Sequence, residues 1–78
     1  MSQLPPDLKY KWEFCLDLDT WMCGTPESGC GVYLNDISGA WEGNVLVANT
    51  VHTVDGATFE QCLRAAEAEF DRLKEAYK

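Results

Sequence analysis

Apolar and polar side chains alternate along the chain from residue 10 to residue 19. The apolar members occupy the even positions: Tyr10, Trp12, Phe14, Leu16 and Leu18. The odd positions carry Lys11, Glu13, Cys15, Asp17 and Asp19. A period of two predicts a half-buried β-strand whose even face meets the core. The alternation changes phase at Thr20, because the next apolar residues, Trp21 and Cys23, occupy odd positions. This change predicts a bulge or a strand end there.

Two further strands are predicted between residues 22 and 54. The stretch MCGTPESGCG, residues 22–31, groups Gly, Pro and Ser as turns do, which predicts a hairpin tip. Cys23 and Cys30 then become cross-strand neighbours, and a second strand runs on from Cys30. The stretch NVLVANTVHTV, residues 44–54, is rich in β-branched residues and predicts one third strand.

A C-terminal helix is predicted over residues 58–77. Thr58 and Gln61 have the spacing of a capping box, in which each side chain satisfies a free backbone amide. Apolar residues then recur at intervals of three and four as one stripe: Phe59, Cys62, Leu63, Ala66, Phe70, Leu73 and Tyr77. Glu60 precedes Arg64 by four residues, a spacing that favours an ion pair.

The predicted fold is therefore of the α+β class and forms a single domain over residues 1–78. An extended leader, residues 1–8, precedes a sheet in residues 9–55 and the helix in residues 58–77. Short connections predict a three-stranded antiparallel sheet, a β-meander, with the helix packed on one face.

Composition points to an ordinary globular chain with a strong acidic bias. The chain has 78 residues, 24% of them charged, and a net charge of −7. Most of the excess negative charge lies in residues 1–56. This charge disfavours direct binding to nucleic acid and favours basic protein surfaces as partners. No secretory signal and no apolar stretch of membrane-spanning length is evident, so we expect a cytoplasmic protein with reduced thiols.

The cysteines do not have the spacing of a metal site. Structural zinc sites pair cysteines two to four residues apart, whereas Cys15, Cys23, Cys30 and Cys62 are all more widely separated. Cys23 and Cys30 remain weak candidates for metal binding or for a disulfide. His52 is the single histidine, and no motif pairs it with a nucleophile. We therefore expect no cofactor and no enzymatic activity.

Acidic and aromatic residues suggest a contact surface. On the predicted first strand successive positions of one face are roughly 6.6 Å apart, and the row of Glu13, Asp17 and Asp19 on that face could imitate a row of phosphates; the alternative is a solvated strand face. Trp21 and Trp41 could anchor a partner or could close the open end of the core. The predicted partner-binding residues are Asp17, Asp19, Trp21, Asp36, Trp41 and Glu42.

The stretch TVDGATFEQCLRAAEAEFDRL, residues 53–73, resembles the strand-to-helix joint of small phage and prophage proteins and of HicB-type antitoxins. The small size and acidity are similar to those of phage-encoded inhibitors such as anti-CRISPR proteins. The resemblance implies an inhibitor in the host cytoplasm that blocks a basic nucleic-acid-binding host protein. A Cys-dependent metal-binding domain, a HicB-like antitoxin and a structural homodimer remain alternatives.

Overall fold

Five antiparallel strands followed by one helix make up the fold in the computed structural model, which describes residues 4–25 and 27–77. The elements are β1 (Glu13–Cys15), β2 (Thr20–Thr25), β3 (Ser28–Leu34), β4 (Trp41–Val47), β5 (Thr50–Gly56) and α1 (Phe59–Ala76). Each strand pairs with the next along the chain, so the sheet is a meander. The α+β class, the antiparallel sheet and the C-terminal helix are confirmed. The predicted number of three strands is wrong, because there are five.

The first predicted strand is in fact a short strand followed by a turn. β1 ends at Cys15, and residues 16–19 form the turn into β2. Leu16 and Leu18 are 84% and 63% exposed, so they do not belong to the buried face predicted for them. Asp19 takes a left-handed conformation with φ 53°, which Asp adopts more readily than most residues. The phase slip at Thr20 marks the start of β2.

The third predicted strand is two strands joined by a tight turn. β4 and β5 pair as a hairpin whose two-residue loop is Ala48 and Asn49, with φ values of 54° and 63°. Positive φ at both loop residues matches the type I′ turn, whose backbone twist suits the flanking strands. Such turns usually carry Asn-Gly, so the Ala-Asn pair gave no recognisable signal in the sequence.

The hairpin between β2 and β3 is confirmed. Cys23 lies directly opposite Cys30, as predicted from the turn residues between them. The Thr25 hydroxyl accepts a 3.1 Å hydrogen bond from the Ser28 backbone amide at the tip. Pro26, part of the predicted tip, lies outside the described residues.

The helix packs its apolar stripe against one face of the sheet. Thr58 caps α1 by accepting a 3.1 Å hydrogen bond from the Gln61 amide, and Gln61 Oε1 accepts one from Ala57 N. Both predicted capping partners are therefore used. The buried core comprises Trp12, Cys23, Cys30, Val32, Val45, Val47, Cys62, Leu63, Ala66, Phe70 and Leu73.

Gly56 allows the sheet and the helix to meet closely at their joint. A Cβ atom at this position would lie 2.6 Å from the backbone nitrogen of Cys62. Glycine is the residue that permits such close backbone approach. Gly56, in the strand-to-helix joint of residues 53–73, is thus required by packing.

The segment before β1 crosses the helix and is held by a buried carboxylate. Glu67 of α1 accepts hydrogen bonds from the backbone amides of Lys9 and Tyr10, at 3.1 and 2.9 Å, and from the Trp12 indole. Within the predicted leader, residues 1–3 lie outside the described residues, while Leu4 and Leu8 pack against the core. The leader is therefore partly integrated into the fold.

In the part of the chain that the structure describes, no helix is both long enough and apolar enough to cross a membrane.

Candidate functional site: an acidic aromatic cleft

Four aromatic rings form a continuous row at one end of the molecule. Ring centroids are 5.3 Å apart between Phe14 and Trp21, 5.6 Å between Trp21 and Phe59, and 4.8 Å between Phe59 and Trp41. The rings are tilted against each other by 42–57°, within the range of arrangements that aromatic pairs favour. We refer to these four residues as the aromatic row.

Strand register and helix capping together assemble the aromatic row. Phe14 lies opposite Trp21 in the β1–β2 pair, so their side chains share the face that α1 covers. Trp41 begins β4, and Phe59 is the first residue of α1 after the Thr58 cap. The helix start thus inserts Phe59 between the two tryptophans, which lie two strands apart.

A cleft of about 190 Å³ opens beside this row and is called the aromatic cleft here. Its lining comprises Phe14, Asp19, Trp21, Val32, Tyr33, Leu34, Asp36 and Trp41. Both tryptophans are half-buried, and both aspartates are exposed. Four of the six predicted partner-binding residues therefore line a single cleft.

The loop that carries Asp36 is ordered by Asn35. Asn35 Oδ1 accepts hydrogen bonds from the amides of Ile37 and Ser38, at 2.9 and 3.2 Å. Its backbone carbonyl accepts a 2.8 Å bond from Gly39, which has φ 74°. These contacts fix the path of the loop around Asp36, and an Asn side chain commonly organises a turn this way.

Glu42 does not join the aromatic cleft. It follows Trp41 in β4, and successive side chains of a strand point to opposite faces. Its carboxylate accepts hydrogen bonds from the Tyr33 hydroxyl, at 2.9 Å, and from Asn35 Nδ2, at 3.0 Å. The bond to Glu42 raises the pKa of Tyr33, because it favours the protonated phenol. Glu42 lines a different cavity of about 250 Å³ on the uncovered face.

The predicted row of carboxylates along one strand is wrong. Glu13 lies in β1, but Asp17 and Asp19 lie in the following turn, where strand spacing does not apply. Asp17 is exposed and is not part of the aromatic cleft lining, although its neighbour Asp19 is. A regular imitation of a phosphate backbone therefore has no structural basis in this segment.

Phe14, Leu34 and Phe59 were missing from the sequence-based site. Phe14 was assigned to the buried face of a long strand, yet it lies at a sheet edge and is 41% exposed. Phe59 fits the helix stripe, so its pattern indicated only core packing. Its position directly after the N-cap was the available signal, since a side chain there projects at the end of the helix.

The thiols and the histidine form no metal site in the described residues. No group of three or more His, Cys, Asp or Glu side chains there could hold a metal ion. All four cysteines are free, and burial raises the pKa of Cys62 to about 11. His52 Nδ1 lies 3.8 Å from Glu69 Oε2, so this side chain faces the helix.

The aromatic cleft has the chemistry of a cation-binding surface. Indole faces attract ammonium and guanidinium groups through their quadrupole, and adjacent carboxylates add charge attraction. Lys and Arg side chains of a protein partner combine such a head with an apolar stem that packs on aromatic rings.

Comparison with protein-family models, with curated protein sequences and with solved structures found no match for this chain.

Proposed function

We propose that this protein is a non-enzymatic binding protein that attaches to a basic, nucleic-acid-binding surface of another protein. The observation that carries the proposal is the aromatic cleft, in which Trp21 and Trp41 lie with Asp19 and Asp36. A Lys or Arg side chain of the partner would lie in the cleft against the exposed parts of the two indoles, and its charged head would meet the aspartates.

The aspartates and the tryptophans of the aromatic cleft make different contributions to binding. Exposed ion pairs contribute at most about 1 kcal/mol each, so the aspartates mainly orient the partner and raise the association rate. Half-buried tryptophans supply apolar area that is removed from water on binding, and Trp is enriched among dominant contact residues. The affinity would therefore depend chiefly on Trp21 and Trp41.

Net charge supports the choice of partner. A net charge of −7 on 78 residues attracts basic surfaces over a distance of about 10 Å at ordinary salt. Surfaces that bind nucleic acid are much more positively charged than ordinary protein–protein interfaces. A bound acidic protein would exclude the nucleic acid, which makes inhibition the expected consequence.

The biological setting follows from the sequence resemblance. The strand-to-helix joint and the small acidic profile are similar to those of phage-encoded inhibitors, so we propose a role like that of an anti-CRISPR protein. The host cytoplasm would be the compartment, and an RNA-guided nuclease would be a suitable first target.

The test uses purified RNA-guided nucleases of known types and measures target-DNA binding in the presence of this protein. Inhibition is expected with at least one nuclease, and added DNA should compete with the protein for binding. The double variant Asp19→Lys, Asp36→Lys and the variant Trp41→Ala should each weaken inhibition at least tenfold.

Asp17→Lys is the matched control for charge, because Asp17 is an exposed aspartate in the same turn as Asp19 but outside the cleft. It should weaken inhibition far less than Asp19→Lys. Equal effects of the two single changes would show that net charge alone acts and would refute the role of the cleft. If added DNA does not compete with this protein for binding to the nuclease, the proposed target surface is refuted.

A homodimer is a second candidate, favoured by the face of the sheet that α1 leaves uncovered. Leu18, Met22 and Val51 are exposed there and line, with Leu46 and others, a depression of about 430 Å³. Light scattering should then give a dimer mass that Val51→Lys reduces to a monomer. Ile37→Lys is the control, because Ile37 is 98% exposed in the loop between β3 and β4 and does not line this depression. A monomeric wild-type protein would exclude this candidate.

A further inference from the structure

A second cleft lies along the open edge of β2. β1 pairs only with residues 20–22, so the continuation of β2 from Cys23 to Thr25 extends past the end of β1. The space beside it measures about 470 Å³ and is called the edge cleft here. Its lining includes Lys11, Glu13, Phe14, Cys15, Met22, Cys23, Gly24 and Thr25. The buried Cys23 thiol thus borders a cavity that opens to solvent.

Cys23 has a second thiol directly opposite it. Cys23 and Cys30 are register partners in the β2–β3 pair, and both are buried. Directly opposed residues of antiparallel strands have Cα atoms about 4.5–5.5 Å apart, which is within the range that a disulfide requires. A bond between the two sulfur atoms therefore needs no change of register and no separation of strands.

The two thiols differ in acidity because they interact. A hydrogen bond from the Cys30 thiol lowers the pKa of Cys23, since it stabilises the thiolate. The same interaction, with burial, raises the pKa of Cys30. Cys30 Sγ also lies 3.7 Å from the carbonyl oxygen of Ala66, which is an alternative acceptor for the single thiol proton of Cys30. Because Cys23 and not Cys30 lines the edge cleft, the arrangement favours Cys23 as the attacking thiolate of the pair.

We propose that Cys23 and Cys30 form a reactive dithiol site that accepts a low-molecular-weight disulfide in the edge cleft and is converted into an intramolecular disulfide. This proposal does not depend on the proposed function, and the edge cleft shares only Phe14 with the lining of the aromatic cleft.

The reaction proceeds in two exchange steps. The Cys23 thiolate attacks one sulfur of the disulfide RSSR, which forms a Cys23–SR bond and releases RS⁻. Cys30 then loses its proton to the released thiolate or to solvent and attacks Cys23 Sγ. A second RS⁻ leaves and is protonated. The dithiol loses two electrons and becomes Cys23–Cys30, while RSSR is reduced to two RSH.

The other two cysteines lack this arrangement. Cys15 also lines the edge cleft, but its register partner is Thr20, so a mixed disulfide at Cys15 has no opposed thiol to resolve it. Cys62 belongs to the apolar stripe of α1, is fully buried and does not line this cleft. The structure therefore predicts one specific pairing out of the possible ones.

The experiment uses the full chain, fully reduced, and bis(2-hydroxyethyl) disulfide as the probe. This uncharged disulfide avoids repulsion by Glu13 and by the net charge. The reaction is quenched with acid, remaining thiols are alkylated under denaturing conditions, and the peptides are analysed by mass spectrometry. Cleavage after glutamate separates Cys15 and Cys23, in residues 14–27, from Cys30, in residues 28–42, and from Cys62, in residues 61–67.

In the wild-type protein we expect residues 14–27 and 28–42 to be joined by a disulfide at Cys23, with Cys15 and Cys62 alkylated. Cys15→Ser should react in the same way. Cys30→Ser should instead accumulate the mixed disulfide at Cys23. A disulfide to Cys62, adducts mainly at Cys15, or full alkylation of all four thiols in the wild-type protein would each overturn the proposal. The wild-type and Cys15→Ser results decide it even where Cys30→Ser does not fold.

Discussion

The indole nitrogen of Trp12 donates a 2.9 Å hydrogen bond to Glu67 Oε2 inside the core. The same carboxylate accepts the backbone amides of Lys9 and Tyr10. One helix side chain therefore satisfies three donors of the segment that precedes β1. The buried carboxyl group is tolerated here because each of its oxygens has a hydrogen-bond partner.

Removal of the Glu67 carboxylate should strongly destabilise the fold. Glu67→Ala leaves three donors without their acceptor, and we expect a loss of about 3 kcal/mol in the free energy of unfolding. Urea denaturation measures this change. Glu60→Ala is the matched control on the same helix, because the exposed pair with Arg64 should contribute less than about 0.5 kcal/mol. Similar effects of the two changes would contradict the anchoring role of Glu67.

Acid should weaken the attachment of the N-terminal segment. Hydrogen bonds from Lys9 and then from Tyr10 hold the pKa of Asp71 below its ordinary value of 3.8. A carboxyl with a lowered folded-state pKa stabilises the fold above its unfolded-state pKa. That stability is lost as the pH falls from about that value through the lower folded-state pKa. Urea midpoints measured between pH 6 and about pH 2 should decline, and Asp71→Asn should make the decline shallower. An unchanged slope would contradict this assignment.

Substitutions in the β4–β5 turn should increase the stability of the fold. Ala48 has φ 54°, a conformation that is unfavourable for residues with an ordinary Cβ. The double change Ala48→Asn, Asn49→Gly supplies the pair that type I′ turns favour and should raise the free energy of unfolding by about 1 kcal/mol. Thermal and urea unfolding would both measure this increase in stability. A lower stability would show that the turn is not of this type.

Gly56 should not tolerate a side chain. The added Cβ of Gly56→Ala would lie too close to the backbone of Cys62, so β5 and α1 would have to separate. We expect a loss of about 1 to 3 kcal/mol, as in other overpacked sites. Ala57→Ser, next to Gly56 at an exposed position, is the control and should have little effect. Full stability of Gly56→Ala would contradict the close contact.

The helix and the β2–β3 hairpin were predictable because their signals are local. The period of the stripe from Cys62 to Leu73, the cap at Thr58 and the turn residues around Glu27 each depend on neighbours in sequence. The two strand errors arose where local signals mislead. Apolar alternation continued through the turn at residues 16–19, and the Ala48–Asn49 turn lacks the usual glycine.

The sequence by itself determined the α+β class, the helix, the cross-strand position of Cys23 opposite Cys30 and the acidic character of the protein. Only the tertiary structure decided which residues share a site. It brought Trp21, Trp41 and Phe59 into one row with Asp19 and Asp36 beside it, and it placed Glu42 on the opposite face. The physical reason is that periodicity describes a face of one element, whereas register and the docking of α1 determine which faces meet.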